Sequence, residues 1–310
     1  MTHKVHLDTD LGGDIDDLCA LAMLLRWEDV EITGITTVAE AGGRRAGYVR
    51  HVLEMEGGSN IPVASGAEVS QGYYRYPELG YPDEDRYWSG SVEPLPGPIE
   101  NTLQLLKASI EQKATIIAIG PFTNLYLLDL QHPGILKQAD LFLMGGYVYP
   151  IRPGFPKWDN GMDWNIQVDV RSATHVIENS NPVLIPLTVT VETALRRFYL
   201  DALRNAGPLG QLLSQQAESF ALDEQNEKQI GETCESLPND LINFLHDPLA
   251  CAIALGYQED VEIQEVPLRL EERNGFLYEH IDPAGRRTRI VTRIDGSHFS
   301  QFWFDKIANR

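Results

Sequence analysis

Asp8, Asp10, Asp14, Asp16 and Asp17 place five carboxylates within ten residues, with Thr9 between the first two and Gly12 and Gly13 ahead of the rest. Carboxylates this close repel one another. A helix N-terminus relieves the repulsion because its dipole favours negative charge, and a bound cation relieves it because several carboxylates can share one ion. Asp16 and Asp17 at the opening of a helix explain two of the five and leave Asp8 and Asp10 without a reason. The residue types and spacing therefore point to a hard cation, or a carboxylate catalytic site, at the end of a strand. An EF-hand does not fit: counted from Asp8, its fifth position would be Gly12 and its twelfth Cys19. Far downstream, His246 and Asp247 precede Pro248. Read alone, that pair is most simply a helix cap. The sharper reading makes Asp247 a further ligand for a cation held by Asp10 and Asp17.

Such a constellation needs elements to hold it. The acidic run follows the apolar segment Val5-His6-Leu7 and precedes the helical pattern Leu18, Ala20, Leu21, Ala22, Leu24 and Leu25. It reads as strand, glycine turn and helix start. Apolar, often β-branched runs at 32–38, 61–64, 114–119, 139–144 and 183–186 alternate with helical periodicity at 45–55, 101–110, 172–178 and from Thr123 onward. This alternation predicts an α/β fold with an open, mostly parallel, doubly wound (Rossmann-like) sheet. The strands of such a sheet end on one edge, where ligands bind. No repeat, low-complexity tract or linker interrupts the chain, so 1–310 reads as a single domain.

Two stretches break the rhythm. Residues 72–98 carry Tyr73, Tyr74, Tyr76, Tyr81, Tyr87 and Trp88 among prolines and glycines, and 150–162 carries Trp158. Irregular loops this long are lids or disordered, and dense aromatics argue against disorder. A surface loop packed by its own tyrosines and a flap that lays Tyr87 or Trp88 on a flat ring both stand open. The acidic balance, 45 Asp and Glu against 25 Lys and Arg, argues against nucleic acid and anionic membranes as partners. Cys19, Cys234 and Cys251 have neither metal-ligand spacing nor an even count, no signal peptide is evident, and no apolar run spans a bilayer. A cytoplasmic protein is expected.

In order along the chain, several segments together resemble the inosine-uridine nucleoside hydrolase family (nucleoside N-ribohydrolases). They are the acidic run 8–17, Gly34-Ile35-Thr36-Thr37-Val38, Gly120-Pro121-Phe122-Thr123-Asn124, Leu143-Met144-Gly145-Gly146, Asp163-Trp164-Asn165-Ile166-Gln167-Val168-Asp169 and His246-Asp247-Pro248. The resemblance implies a Ca²⁺ ion at the bottom of a pocket, held by Asp10, Asp17, Asp247 and the Ile119 carbonyl together with a water and the ribose 2′- and 3′-hydroxyls. It implies Asp16 as general base, Asp163 and Asn165 as sugar-binding groups, and, by a weaker match, Asn160 as another. It implies that His246 helps the departing base. The chemistry suits these residue types. Breaking a ribosyl C–N bond makes an oxocarbenium-like centre that carboxylates stabilise, a carboxylate can take a proton from water, and histidine titrates near neutrality as a candidate acid.

The chain departs from the family pattern in three places. The turn before Asp16 and Asp17 is longer, which makes Asp14 a substrate-site or supporting group. The usual Gly-Asn after the second strand is Glu40 and Ala41, so Glu40 is the candidate replacement. The flap reads Arg86-Tyr87-Trp88-Ser89-Gly90 in place of a His-Gly motif, with Trp88 the candidate for the base. The expected activity is Ca²⁺-dependent hydrolysis of ribonucleosides or related ribosyl compounds, by a homodimer or homotetramer. The rivals are a non-catalytic ribosyl-binding homologue and, from Asp8-Thr9-Asp10, a Mg²⁺-dependent phosphohydrolase.

Overall fold

The computed structural model describes residues 2–68 and 80–308. Its strands are β1 (His3–Thr9), β2 (Val30–Thr37), β3 (Val63–Ala64), β4 (Thr115–Ala118), β5 (Asp140–Met144), β6 (Val183–Ile185), β7 (Leu195–Arg196), β8 (Leu241–Asn243), β9 (Glu262–Arg273), β10 (Phe276–Ile281) and β11 (Arg286–Arg293). Its helices are α1 (Asp16–Leu25), α2 (Arg44–Met55), α3 (Ile99–Glu111), α4 (Thr123–Gln131), α5 (Trp164–Gln167), α6 (Val170–Asn179), α7 (Leu187–Thr190), α8 (Leu200–Arg204), α9 (Gly207–Glu224), α10 (His246–Ala254) and α11 (Gly296–Ala308).

Nine strands form one sheet in the order β10-β9-β11-β6-β5-β4-β1-β2-β3. β9 is antiparallel to both neighbours, and every other pair in this sheet is parallel. The central strands are buried on both faces and read as continuous apolar runs for that reason. Along β4 and its end, Ile117 and Ile119 join the core under α1, α9 and α10, while Ile116 and Ala118 join the core under α3, α4 and α6. The expected doubly wound sheet is what forms.

Strand order reverses between β1 and β4: the chain runs from β1 outward to β2 and β3, then returns to place β4 on β1's other side. Crevices at such reversals hold ligands. Here Ile119 N–H donates to Asp8 O at 2.8 Å and Val38 N–H to Thr9 O at 3.0 Å, which locks three strand ends together. Gly120 lets them close: a Cβ there would stand 2.8 Å from an Asp10 carboxyl oxygen and 2.7 Å from Val38. Separately, β7 and β8 form a short antiparallel ribbon that brings Asn243 beside the same crevice.

Candidate active site

A cavity of about 770 Å³ opens at the ends of β1 and β4. Its acidic side comes from the run after β1 and from the first turn of α10. Asp16, Asp17 and Asp247 are buried, and each offers a carboxylate oxygen within 4.8 Å of the others. Thr9 Oγ1 donates to Asp17. Burial first, then repulsion from neighbouring aspartates, holds all three carboxyls well above the usual range. Asp10 lines the same cavity, and its Oδ2 accepts the Trp164 indole N–H at 3.2 Å. Among the described residues the positive charge that acts on Asp10 and Asp17 is buried Arg45, which donates to the Asp10 backbone oxygen and, at 3.0 Å, to that of Ala39.

This donor set fits a hard divalent cation. It consists of oxygen alone, it is buried, and its charges lack enough opposite charge to balance them. The structure brings all four expected ligands, Asp10, Asp17, Asp247 and Ile119, to one cavity. Asp16 completes the tightest carboxylate triad in place of Asp10, and the Ile119 oxygen accepts Asn165 Nδ2 at 2.8 Å.

Asp14 stands at the cavity wall, open to its solvent but ringed by protein, and burial raises its pKa to about 6. Its Oδ1 accepts the Ile15 amide at 2.6 Å and the Asn243 side chain. Asp14 therefore meets the Ile15 amide just ahead of α1 and, at 3.4 Å, the Asp16 amide, the first of the helix. Asp163 caps α5 through the Ile166 amide at 3.1 Å and accepts the Gly146 amide on its other oxygen; burial raises its pKa to about 6. Asn165 is tied to the ends of β4 and β5.

Several expectations need correction. His246 lines the cavity with Nδ1 2.6 Å from Thr190 Oγ1, but burial pushes its pKa down to about 3. Burial thus favours the neutral ring, while its place in the cavity lining keeps it within the candidate site. Glu40 does not line the cavity: it turns into the start of α2, where its carboxylate accepts the Ala46 amide at 2.8 Å, the Arg45 amide at 3.2 Å and Thr37 Oγ1 at 2.6 Å. Trp88 is 1% exposed, stacks on Tyr48 with ring centroids 4.6 Å apart, and donates to Pro82 O. Tyr87 is buried against Asp223. Both rings belong to the core, not to a lid. Asn160 also stays outside the lining and donates to Leu277 O at 2.9 Å. Tyr73, Tyr74 and Tyr76 of the expected flap lie outside the described residues.

Trp158, Phe244, Phe220 and Leu187 add apolar surface to the lining of the same cavity, with Trp158 edge-on to Phe244 at 5.4 Å. Glu224 and Gln229 stand at its rim. Of these only Trp158 drew notice as a residue in the sequence. Phe244, two positions before His246 at a strand end, was the legible signal for the rest.

The whole chain can now be set beside known proteins. A family model described as "Inosine-uridine preferring nucleoside hydrolase" matches residues 5–301. The chain belongs to that family. Among curated relatives, a pyrimidine-specific ribonucleoside hydrolase, RihA, of Salmonella arizonae is 29% identical over 82% of this chain and 79% of its own length. A non-specific ribonucleoside hydrolase, RihC, of Salmonella paratyphi A is 28% identical over 69% of this chain and 71% of its own. The purine-preferring ribonucleoside hydrolase of Gardnerella vaginalis has the same fold, with a TM-score of 0.80 at 18% identity over 99% of this chain and 98% of its own. Membership makes this nucleoside hydrolase an N-glycosidase and sets aside the phosphohydrolase reading of Asp8-Thr9-Asp10.

Proposed function

We propose that this nucleoside hydrolase is a Ca²⁺-dependent enzyme that cleaves ribonucleosides, or close ribosyl relatives, to the sugar and the free base. One observation carries the reading: a buried carboxylate triad and a set of apolar and aromatic side chains line one and the same cavity at the strand reversal. A polar, diol-bearing sugar end and a flat base call for those two kinds of surface. Asp10, Asp17, Asp247 and the Ile119 carbonyl would hold the ion, with Asp16 beside them. When bound, a hard divalent cation orients a vicinal diol and makes an adjacent water more acidic.

The chain's own groups do the rest. Asp16 accepts a proton from the attacking water, because its carboxyl is the member of the triad left over from the ligand set the family resemblance implies. Asp163 and Asn165, fixed by backbone contacts before substrate arrives, hold sugar hydroxyls and need no reorganisation as positive charge grows at C1′. Asp14 is positioned to reach the sugar from the other side. Trp158 and Phe244 cover the base and exclude water. His246, held at Thr190 in the cavity lining, offers a hydrogen bond to the departing base. The protein works in the cytoplasm as a homo-oligomer.

A panel of purine and pyrimidine ribonucleosides, assayed for reducing-sugar release with Ca²⁺ and with a chelator, tests this. Release that stops on chelation and returns with Ca²⁺ is expected, and Asp10→Ala should abolish it. Release unaffected by chelation would overturn the metal dependence. The ribosyl-binding rival is motivated by Ala41, which offers no polar side chain, while Glu40 beside it is engaged by the first amides of α2. Tight nucleoside binding without free base would establish that rival.

A further inference from the structure

Glu279 is the most anomalous charged residue of the protein outside the acidic cluster. It occupies an inward, apolar-type position of β10, two residues from buried Leu277, and is 5% exposed. Neither carboxyl oxygen has a hydrogen-bond partner; the Tyr147 backbone amide approaches and leaves both unsatisfied. A bare buried carboxylate costs several kcal/mol, so such a group keeps its proton.

Its surroundings give the residue a use. Gly146 has φ +117, and a Cβ on it would stand 3.9 Å from Glu279 Oε1. The N–H of the same glycine donates to Asp163. The two carboxyls therefore flank one peptide. The rest of β10 grips the segment that carries Asp163: Gln167 donates to Leu277 O at 2.8 Å and accepts its N–H at 3.0 Å, as a strand neighbour would, and Asn160 donates to the same oxygen. β9 sets Leu270 opposite Glu279, and Val170 and Ala173 of α6 add only apolar surface to this core. Among the described residues, Asp163 is the charged group whose field reaches it. On the opposite face of β10, His280 lies beside Glu271 of β9.

We propose that Glu279 is a positioning residue for sugar binding: packed against Gly146, it holds in place the peptide whose N–H fixes the Asp163 carboxylate that faces the cavity. The proposal rests on Asp163 meeting the sugar. Burial followed by the Asp163 charge raises Glu279 to about 8, while Asp163 stays near 6, so at pH 7 the pair holds one proton, on Glu279. Above pH 8 Glu279 ionises, and the second charge pushes Asp163 out of place.

The sign for stability runs the same way. The folded pKa lies above the unfolded one, so Glu279's contribution is fully present below about pH 4 and is lost as pH rises through about 8.

Two variants and two readouts test the idea. In the wild type, KM for the best nucleoside should rise about tenfold from pH 7 to 9, as for a required protonated group titrating near pH 8, with kcat less affected. Glu279→Gln, which keeps a donor without a titration, should flatten that limb and melt higher than the wild type at pH 9. Glu279→Leu should raise KM at every pH. An inward charge on an edge strand also guards against edge pairing. If Glu279→Leu only self-associates while its KM profile matches the wild type, that guard is the residue's role and the proposal is overturned. Should no nucleoside be cleaved, ribose affinity by calorimetry replaces KM, so failure of the activity leaves this test standing.

Discussion

Asp14 and Asp16 differ in what their carboxyls already do. Asp14 accepts the Ile15 amide ahead of α1 and the Asn243 side chain, whereas Asp16 sits in the buried triad, where desolvation and three neighbouring aspartates resist its ionisation. Asp16→Asn is therefore expected to keep the fold and lower kcat by roughly a hundredfold or more, the size of a general-base effect. Asp14→Asn keeps a side-chain oxygen for the Ile15 amide and should cost less. Steady-state kinetics on the two variants decide, and the reverse ranking would move the base to Asp14. At this scale the sequence was informative wherever residue type and spacing alone state the chemistry, as in the run from Asp8 to Asp17. It was uninformative where environment decides. His246 is a histidine in any sequence, but only the folded structure shows the burial beside Thr190 that disfavours its charged form.

Elements explain which aromatics and acids belong to the site. Glu40 follows β2 directly and is consumed in starting α2, whose first amides it accepts. Trp88 fills the space between Tyr48 of α2 and His51, with ring centroids at 4.6 and 5.7 Å. Trp88→Ala should then lower stability by about 3–5 kcal/mol, the usual range for emptying a buried tryptophan site, and leave KM of the folded fraction within about twofold. Thermal melting and KM measured together check this; a raised KM with an unchanged melt would return Trp88 to the ligand. Sequence pattern located the parallel strands because burial on both faces leaves continuous apolar runs. It passed over β9 to β11, since β9 alternates with charge and contains Pro267. The Asn274-Gly275 pair, with φ of 55° and 75°, was the available hairpin signal there. That omission mattered, because β10 holds α5 and with it Asp163 and Asn165.

At the scale of the whole molecule, the protein has gathered carboxyls that resist ionisation: Asp163 near 6, Asp8 near 7, and Asp16, Asp17 and Asp247 higher than the usual range, each chiefly by burial. Each has a folded pKa above its unfolded one. Their contribution is therefore fully present below about pH 4 and is lost as pH rises through about 6 for Asp163 and about 7 for Asp8, with the triad adding in the same direction. The metal-free protein should melt lower at pH 8 than at pH 5. A divalent cation binds only the ionised form, so it reverses that slope: excess Ca²⁺ should raise the melting temperature little at pH 5 and by several degrees at pH 8. At a hundred times Kd the gain is about 2.7 kcal/mol. Melting curves across pH, with Ca²⁺, with Mg²⁺ and with chelator, read this directly and do not depend on catalysis. Oxygen donors admit both ions, but a set of four protein ligands plus a sugar diol offers more positions than Mg²⁺ prefers, so Ca²⁺ should stabilise more. An equal shift at both pH values would mean that the ion binds elsewhere. A larger shift with Mg²⁺ would mean that the triad holds the smaller ion.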